Sequence, residues 1–169
     1  VLEPSSQQEA YDMTYGAFEL SERIGRPVLL RLTTRLAHSR SGVQRCTEQP
    51  QNRLHFSDNP RQFVLLPANA RLNYDQLLAQ QEQFLTDSEH ASYNRLIDGP
   101  DKSWGIVTTG IAYNYVMEHF PQGCPYPILK IGQYPMPVRL LQQLAALAPT
   151  ILVIEEGYPM VESALKGIL

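Results

Sequence analysis

Three short runs decide the fold: Gly105-Ile106-Val107-Thr108-Thr109, Pro127-Ile128-Leu129-Lys130-Ile131 and Ile151-Leu152-Val153-Ile154. Each is a short, mostly apolar run, so each reads as a strand, the first of them buried. Between them lie segments of helical period. Ile111, Tyr115, Val116 and Met117 follow Gly110; Leu140, Leu141, Leu144 and Leu147 follow Pro137; Val161 to Ile168 follows the last run. Strand and helix alternating through short joints predict an α/β fold, a parallel sheet with flanking helices.

Working outward, residues 6–25 predict an amphipathic helix. Ser6 and Glu9 have capping-box spacing. Met13, Ala17, Leu20 and Ile24 line one face, Gly25 suits the closing turn and Pro27 stops continuation. Val28 to Thr34 then reads as a strand. The strand that should precede this helix is missing from the chain, so the crossover unit lacks a partner. Residues 35–62 are polar and aperiodic, a linker or functional loop. Phe63 to Leu66 is a short apolar run ended by Pro67. A helix with a thin apolar face is expected from Asn73 to about Asp98, of the kind that crosses a surface or joins two domains.

Composition narrows the function. The chain has 169 residues, 43% hydrophobic and 18% charged, enough for a real core in one domain or two small ones. Charge is light: 14 Lys+Arg against 17 Asp+Glu, net −3. That argues against a nucleic-acid partner. No apolar run reaches the ~20 residues of a membrane span, and no signal peptide is visible. Cys46 and Cys124 make no C-x-x-C pair, and a reduced, cytoplasmic compartment is expected. The chain starts at Val1 without methionine, which leaves a processed terminus or a piece of a longer chain open; the unpartnered crossover unit favours the piece.

Candidate chemistry is sparse. Gly110 at a helix start suits a tight turn better than a phosphate loop, which needs more glycines. Arg31, Arg35, His38 and Arg40 cluster around Thr33, Thr34 and Ser39 at a strand end, where parallel sheets place ligands. Guanidinium groups there would clamp an anion and the histidine would move protons; a solvated basic loop or subunit contact is the competing reading. Glu155-Glu156 are adjacent carboxylates. Neighbours in extended chain face opposite ways, which favours helix capping or an interface over acid–base work. His55, His90 and His119 have no metal spacing, and both cysteines read as inert. Tyr134-Pro135-Met136-Pro137 and Tyr158-Pro159-Met160 echo one another as rigid turns into helices.

Two stretches resemble a known family. Arg31-Leu32-Thr33-Thr34-Arg35 with His38-Ser39, after Tyr11-Asp12-Met13 and Phe18-Glu19-Leu20-Ser21-Glu22, is one. Trp104 to Val116, Leu129-Lys130-Ile131-Gly132 with Tyr134-Pro135-Met136-Pro137, and Val153-Ile154-Glu155-Glu156-Gly157 form the other. Both resemble the thiamine-diphosphate-dependent 2-oxoacid:ferredoxin oxidoreductases, and within them the alpha subunit of indolepyruvate ferredoxin oxidoreductase. The resemblance implies three parts: residues 1–46, a helix-strand remnant of a pyrimidine-binding domain; 47–102, a linker and connecting helix; and 103–169, a transketolase C-terminal-like, Rossmann-like domain, incomplete here.

It also implies a reaction, oxidative decarboxylation of aryl pyruvates to acyl-CoA with ferredoxin as acceptor. The full enzyme would use thiamine diphosphate, Mg2+ and [4Fe-4S] clusters, a beta subunit, coenzyme A and alpha–alpha contacts that make a homo-oligomer. The family's catalytic glutamate lies upstream of Val1, and its G-D-G…N and cluster-cysteine motifs are absent here. This chain alone is therefore expected to be an inactive internal fragment that binds no cofactor. Thr34, Arg35 and His38 are expected near cofactor or substrate, and Glu155, Glu156 and Gly157 at a domain or dimer interface. The rival expectation is a non-catalytic stand-alone module binding a subunit or small anion; a third is another thiamine enzyme of transketolase or oxoacid dehydrogenase type.

Overall fold

The computed structural model describes residues 1–54 and 56–169; His55 lies outside the described residues. Helices α1 (Gln7–Ile24) and α2 (Thr34–His38) come first, then a 3-10 turn (Pro60–Phe63), α3 (Pro67–Ala79) and α4 (Gln81–Glu89). The sheet follows: β1 (Arg95–Ile97), β2 (Gly105–Thr109), α5 (Ala112–His119), β3 (Ile128–Ile131), α6 (Val138–Leu147), β4 (Ile151–Ile154) and α7 (Met160–Leu165). The strand order is β1-β3-β2-β4. The β2–β3 and β2–β4 pairs are parallel, with Val107 opposite both Leu129 and Val153; β1 is an antiparallel edge. The α/β class and the open, mostly parallel Rossmann-like sheet agree with the sequence.

Alternation along the strands builds a core on each face. Val107, Leu129 and Ile131 pack with Leu141 and Leu144 of α6 and Val161 and Leu165 of α7. Ile106 and Ile128 face Val116 of α5 on the opposite side. α1 forms as expected. Ser6 accepts from Glu9 N, Gly25 closes the helix in left-handed conformation, and Met13 and Ala17 are buried. They pack with Leu2 in a third cluster.

Two expectations need correction. Val28–Thr34 is not a strand: Leu30 makes one parallel bridge to Leu2, and residues 34–38 coil into α2. The expected missing partner is present in vestigial form. Leu2 N donates to Leu29 O and Arg31 N to Leu2 O, both at 2.8 Å, while Leu2 also bridges Gln133. Pro4 has no amide hydrogen to extend such a ladder. Second, the helix foreseen over 73–98 is instead α3, α4 and strand β1. Pro67 starts α3, as suits its fixed φ. Buried Asn94 ends the helical path: its Nδ2 donates to Ser88 O and Gln133 O, and its Oδ1 accepts from Gly132 N and Gln133 N. Leu96 then pairs opposite Leu129. The apolar run Phe63–Leu66 lies exposed, Leu65 at 89%.

Candidate functional site

The region past the carboxyl ends of β2 and β3, where such sheets place ligands, is filled by the chain's own first residues: Glu3 N donates to Gly132 O and the Glu3 carboxyl lies against Gly110. Glu3, 1% exposed, is paired with Arg31 and accepts from Tyr134 Oη at 2.6 Å. Asn114 of α5 donates to Ser5 O at 2.7 Å. Next to Leu129 in β3, Lys130 lies wholly buried with its ammonium against Glu9 and 5.1 Å from the Tyr113 ring centre. The other oxygen of Glu9 accepts from Ser5 N and Oγ at 2.7 and 2.8 Å. Glu9 thus caps through Ser5 and reaches the sheet, rather than bonding back to Ser6 as the capping-box spacing suggested.

Burial and charge oppose one another here. Burial pushes the Glu9 carboxyl up, but the Lys130 ammonium and the Ser5 donors outweigh it and hold it below the usual range. Burial pushes Lys130 down, Glu9 resists, and nearby Arg95 adds to the fall. The Tyr134 phenol is driven far above the ordinary tyrosine value by burial, then by the charge and hydrogen bond of Glu3. Burial and the carboxylates of Asp12 and Glu9 also raise Tyr93. Fully satisfied buried networks of this kind rigidify a junction; here they tie α1 and the first residues to the sheet.

Thr34, Arg35 and His38 occupy exposed positions on α2. Arg35 lies 6.0 Å from the centre of the Tyr115 ring on α5. It is Arg31 of the same cluster that enters the buried network. Glu155 accepts backbone hydrogen bonds from Met160, Val161 and Glu162 at 2.9–3.1 Å, so it caps α7. One buried oxygen of Glu156 has no hydrogen-bond partner, and Gly157 is exposed with φ +92. Sequence reasoning overlooked Lys130, Glu3, Tyr134 and Asn94. A lysine inside an otherwise apolar buried strand was the available signal, since such a charge demands a partner.

Among the described residues no three His, Cys, Asp or Glu converge to hold a metal ion. Cys46 is exposed and Cys124 half-buried, both free. The donors that do converge, Glu3 with Arg31 and Glu9 with Lys130, already neutralise each other. They do not fit a diphosphate–magnesium group. No described helix is long and apolar enough to cross a membrane.

No family model matches the chain. Curated relatives do. The chain is 36% identical over 174 residues to the indolepyruvate oxidoreductase subunit IorA of Methanothermobacter thermautotrophicus, covering 99% of this chain and 28% of that protein. It is 38% identical over 176 residues to the IorA subunit of Pyrococcus abyssi, covering 98% and 27%. The Archaeoglobus fulgidus IorA subunit is 34% identical over 173 residues, covering 99% and 27%. The chain thus spans a little over a quarter of the length of the relatives it matches.

Proposed function

The chain is related to the IorA, or alpha, subunit of indolepyruvate oxidoreductase along nearly all of its own length, and on that premise we propose that it works as part of such a subunit. The reaction proposed is oxidative decarboxylation of an aryl pyruvate, with coenzyme A taking the acyl group and ferredoxin the electrons. Thiamine diphosphate with Mg2+ would supply the electron sink for decarboxylation, and [4Fe-4S] clusters the route out. The similarity across 99% of the chain carries this reading.

Within that enzyme the residues described here hold rather than react. Glu9–Lys130 and Glu3–Arg31 lock α1 and the first residues onto the sheet. The exposed Thr34, Arg35 and His38 would then present a fixed polar surface toward cofactor or substrate. Glu156 and Gly157 would stand at a domain or dimer interface, beside the helix that Glu155 caps. A beta subunit and a cytoplasmic location belong to the same proposal.

The test is isolation of the native protein from its source with whatever co-purifies. A second subunit should accompany it, and the complex should reduce ferredoxin or a viologen dye only with indolepyruvate and coenzyme A present. A protein that purifies alone and shows no 2-oxoacid-dependent reduction would overturn the proposal in favour of a non-catalytic module. Oxoacid turnover indifferent to ferredoxin and dye would point to another thiamine enzyme.

A further inference from the structure

A cleft of about 680 Å3 opens between the end of α1, helices α3 and α4, and the Gln133-Tyr134-Pro135 turn. Its size lies within the ~300–1,000 Å3 of small-molecule sites. The walls are mostly apolar, with Leu20, Ile24, Val28, Leu77 and Phe84 among them. Two charged side chains reach it, Arg26 and Asp87, and they differ. Asp87 is already paired with Arg23 at 3.1 Å and accepts from Gln83 at 2.8 Å. Arg26 has no ion pair among the described residues; its partners are neutral amide oxygens, Gln80 Oε1 at 2.8 Å from Nε and Gln76 Oε1 at 3.5 Å from Nη2.

Gln80 is itself oriented. Its Nε2 donates to Ile24 O at 3.2 Å, which turns its oxygen toward Arg26. The guanidinium is therefore held through Nε. A guanidinium has five N–H donors; with Nε on Gln80 and one Nη2 proton toward Gln76, the remaining Nη protons are left for a planar, bidentate acceptor. A half-buried cation with no counter-ion, at the side of an apolar cleft, is complementary to one kind of guest. We propose that the cleft binds an amphipathic carboxylate, its apolar body among Leu20, Leu77 and Phe84 and its carboxylate on Arg26. This inference does not depend on the oxidoreductase reading, because neither Arg26 nor the cleft has a part in it.

The probes are naphthalene-2-acetate and its neutral isostere, the primary amide, titrated calorimetrically into the native protein. The carboxylate should bind at least tenfold more tightly than the amide. Arg26→Gln should abolish that preference while the amide's affinity holds, and Leu77→Trp, which fills the cleft, should weaken both. Equal affinities in the unmutated protein, or binding of neither probe, would overturn the proposal without need of a variant. So would a carboxylate preference that survives Arg26→Gln. Oxoacid-dependent reduction should be unaffected by Arg26→Gln, so failure here and failure of the proposed reaction are read separately.

Discussion

The ammonium of Lys130, wholly buried in β3, is held by the carboxylate of Glu9 in the first turn of α1, 121 residues away in sequence. The two partners are not equally exposed: Glu9 keeps 15% of its side-chain surface and has Ser5 besides. Removing the carboxylate therefore strands a deeply buried cation, whereas removing the cation leaves an anion that still has donors. Glu9→Gln should cost about 3 kcal/mol and Lys130→Met about 1–2 kcal/mol. The double variant should lie close to Lys130→Met alone, since the stranded charge is gone. Chemical denaturation of all three, with unchanged slopes, checks the order; Lys130→Met costing more than Glu9→Gln would refute the asymmetry.

The same pair dictates an acid limb. The folded Glu9 carboxyl titrates below its ordinary value near 4.5. As pH falls, the unfolded chain takes up that proton first, so the stability Glu9 confers is present above about 4.5 and lost as pH drops through the lower folded value. The gap in melting temperature between the unmutated protein and Glu9→Gln should thus be full at pH 7 and close progressively below pH 4.5. A gap constant down to pH 2 would contradict the assignment.

Tyr134 gives the mirror-image limb. Its folded phenol titrates far above its ordinary value near 10.0. Above that pH the unfolded chain ionises while the folded one does not, so stability falls as pH rises. Tyr134→Phe removes this dependence, and the difference between the two proteins should narrow as pH is raised from 9.5 to 11. Parallel curves over that range would count against it.

The parts of this fold that sequence makes plain are those whose physics is local. Met13, Ala17, Leu20 and Ile24 repeat at helical spacing and Gly25 ends the run, so α1 was legible almost to the residue. Strands β2 and β3 are buried along their whole length and read as continuous apolar runs; β4, an edge strand with Leu152 exposed, is apolar enough to read the same way. What stayed hidden was decided at long range. Arg95–Ile97 is three residues, too short for alternation to show, and becomes a strand because β3 offers an edge. Val28–Thr34 has the composition of a strand and lacks the length of partner. The buried network was less visible still. Glu9 announced itself only as a cap, and nothing local to Glu3 names Arg31 or Tyr134.

Two glycines separate backbone strain from lack of room. Gly25 sits at φ +62 with open space around the position a Cβ would take. Gly99 has an unexceptional φ, yet an added Cβ would lie 2.4 Å from Pro125 O and 2.5 Å from Tyr126 C, backbone atoms that cannot step aside. Gly25→Ala should cost about 1–2 kcal/mol, the left-handed penalty alone. Gly99→Ala should cost about 3 kcal/mol or more, because the 99–101 segment must leave Pro125, to whose oxygen Asp101 N is bonded at 2.9 Å. Thermal melts distinguish them, and equal losses would mean that the Gly99 contact yields easily.

Glu155 and Glu156 share a position in sequence and part in role. Glu155 uses both oxygens on the first amides of α7, including that of Val161, which anchors the core face shared with Leu129 and Leu141. A cap of this kind is worth ~1–2 kcal/mol, and a carboxylate there also suits the helix dipole. Glu155→Ala should therefore lower the melting temperature by about 2–8 °C for a domain of this size. Glu156 holds no helix amide, so Glu156→Gln should change stability by less than about 0.5 kcal/mol. If Glu156 stands at a subunit contact, that variant should weaken co-purification of the second subunit while leaving the melt alone. Glu155→Ala should do the reverse, lowering the melt first. A Glu156→Gln protein that melts early yet assembles normally would place Glu156 in the fold instead of the interface.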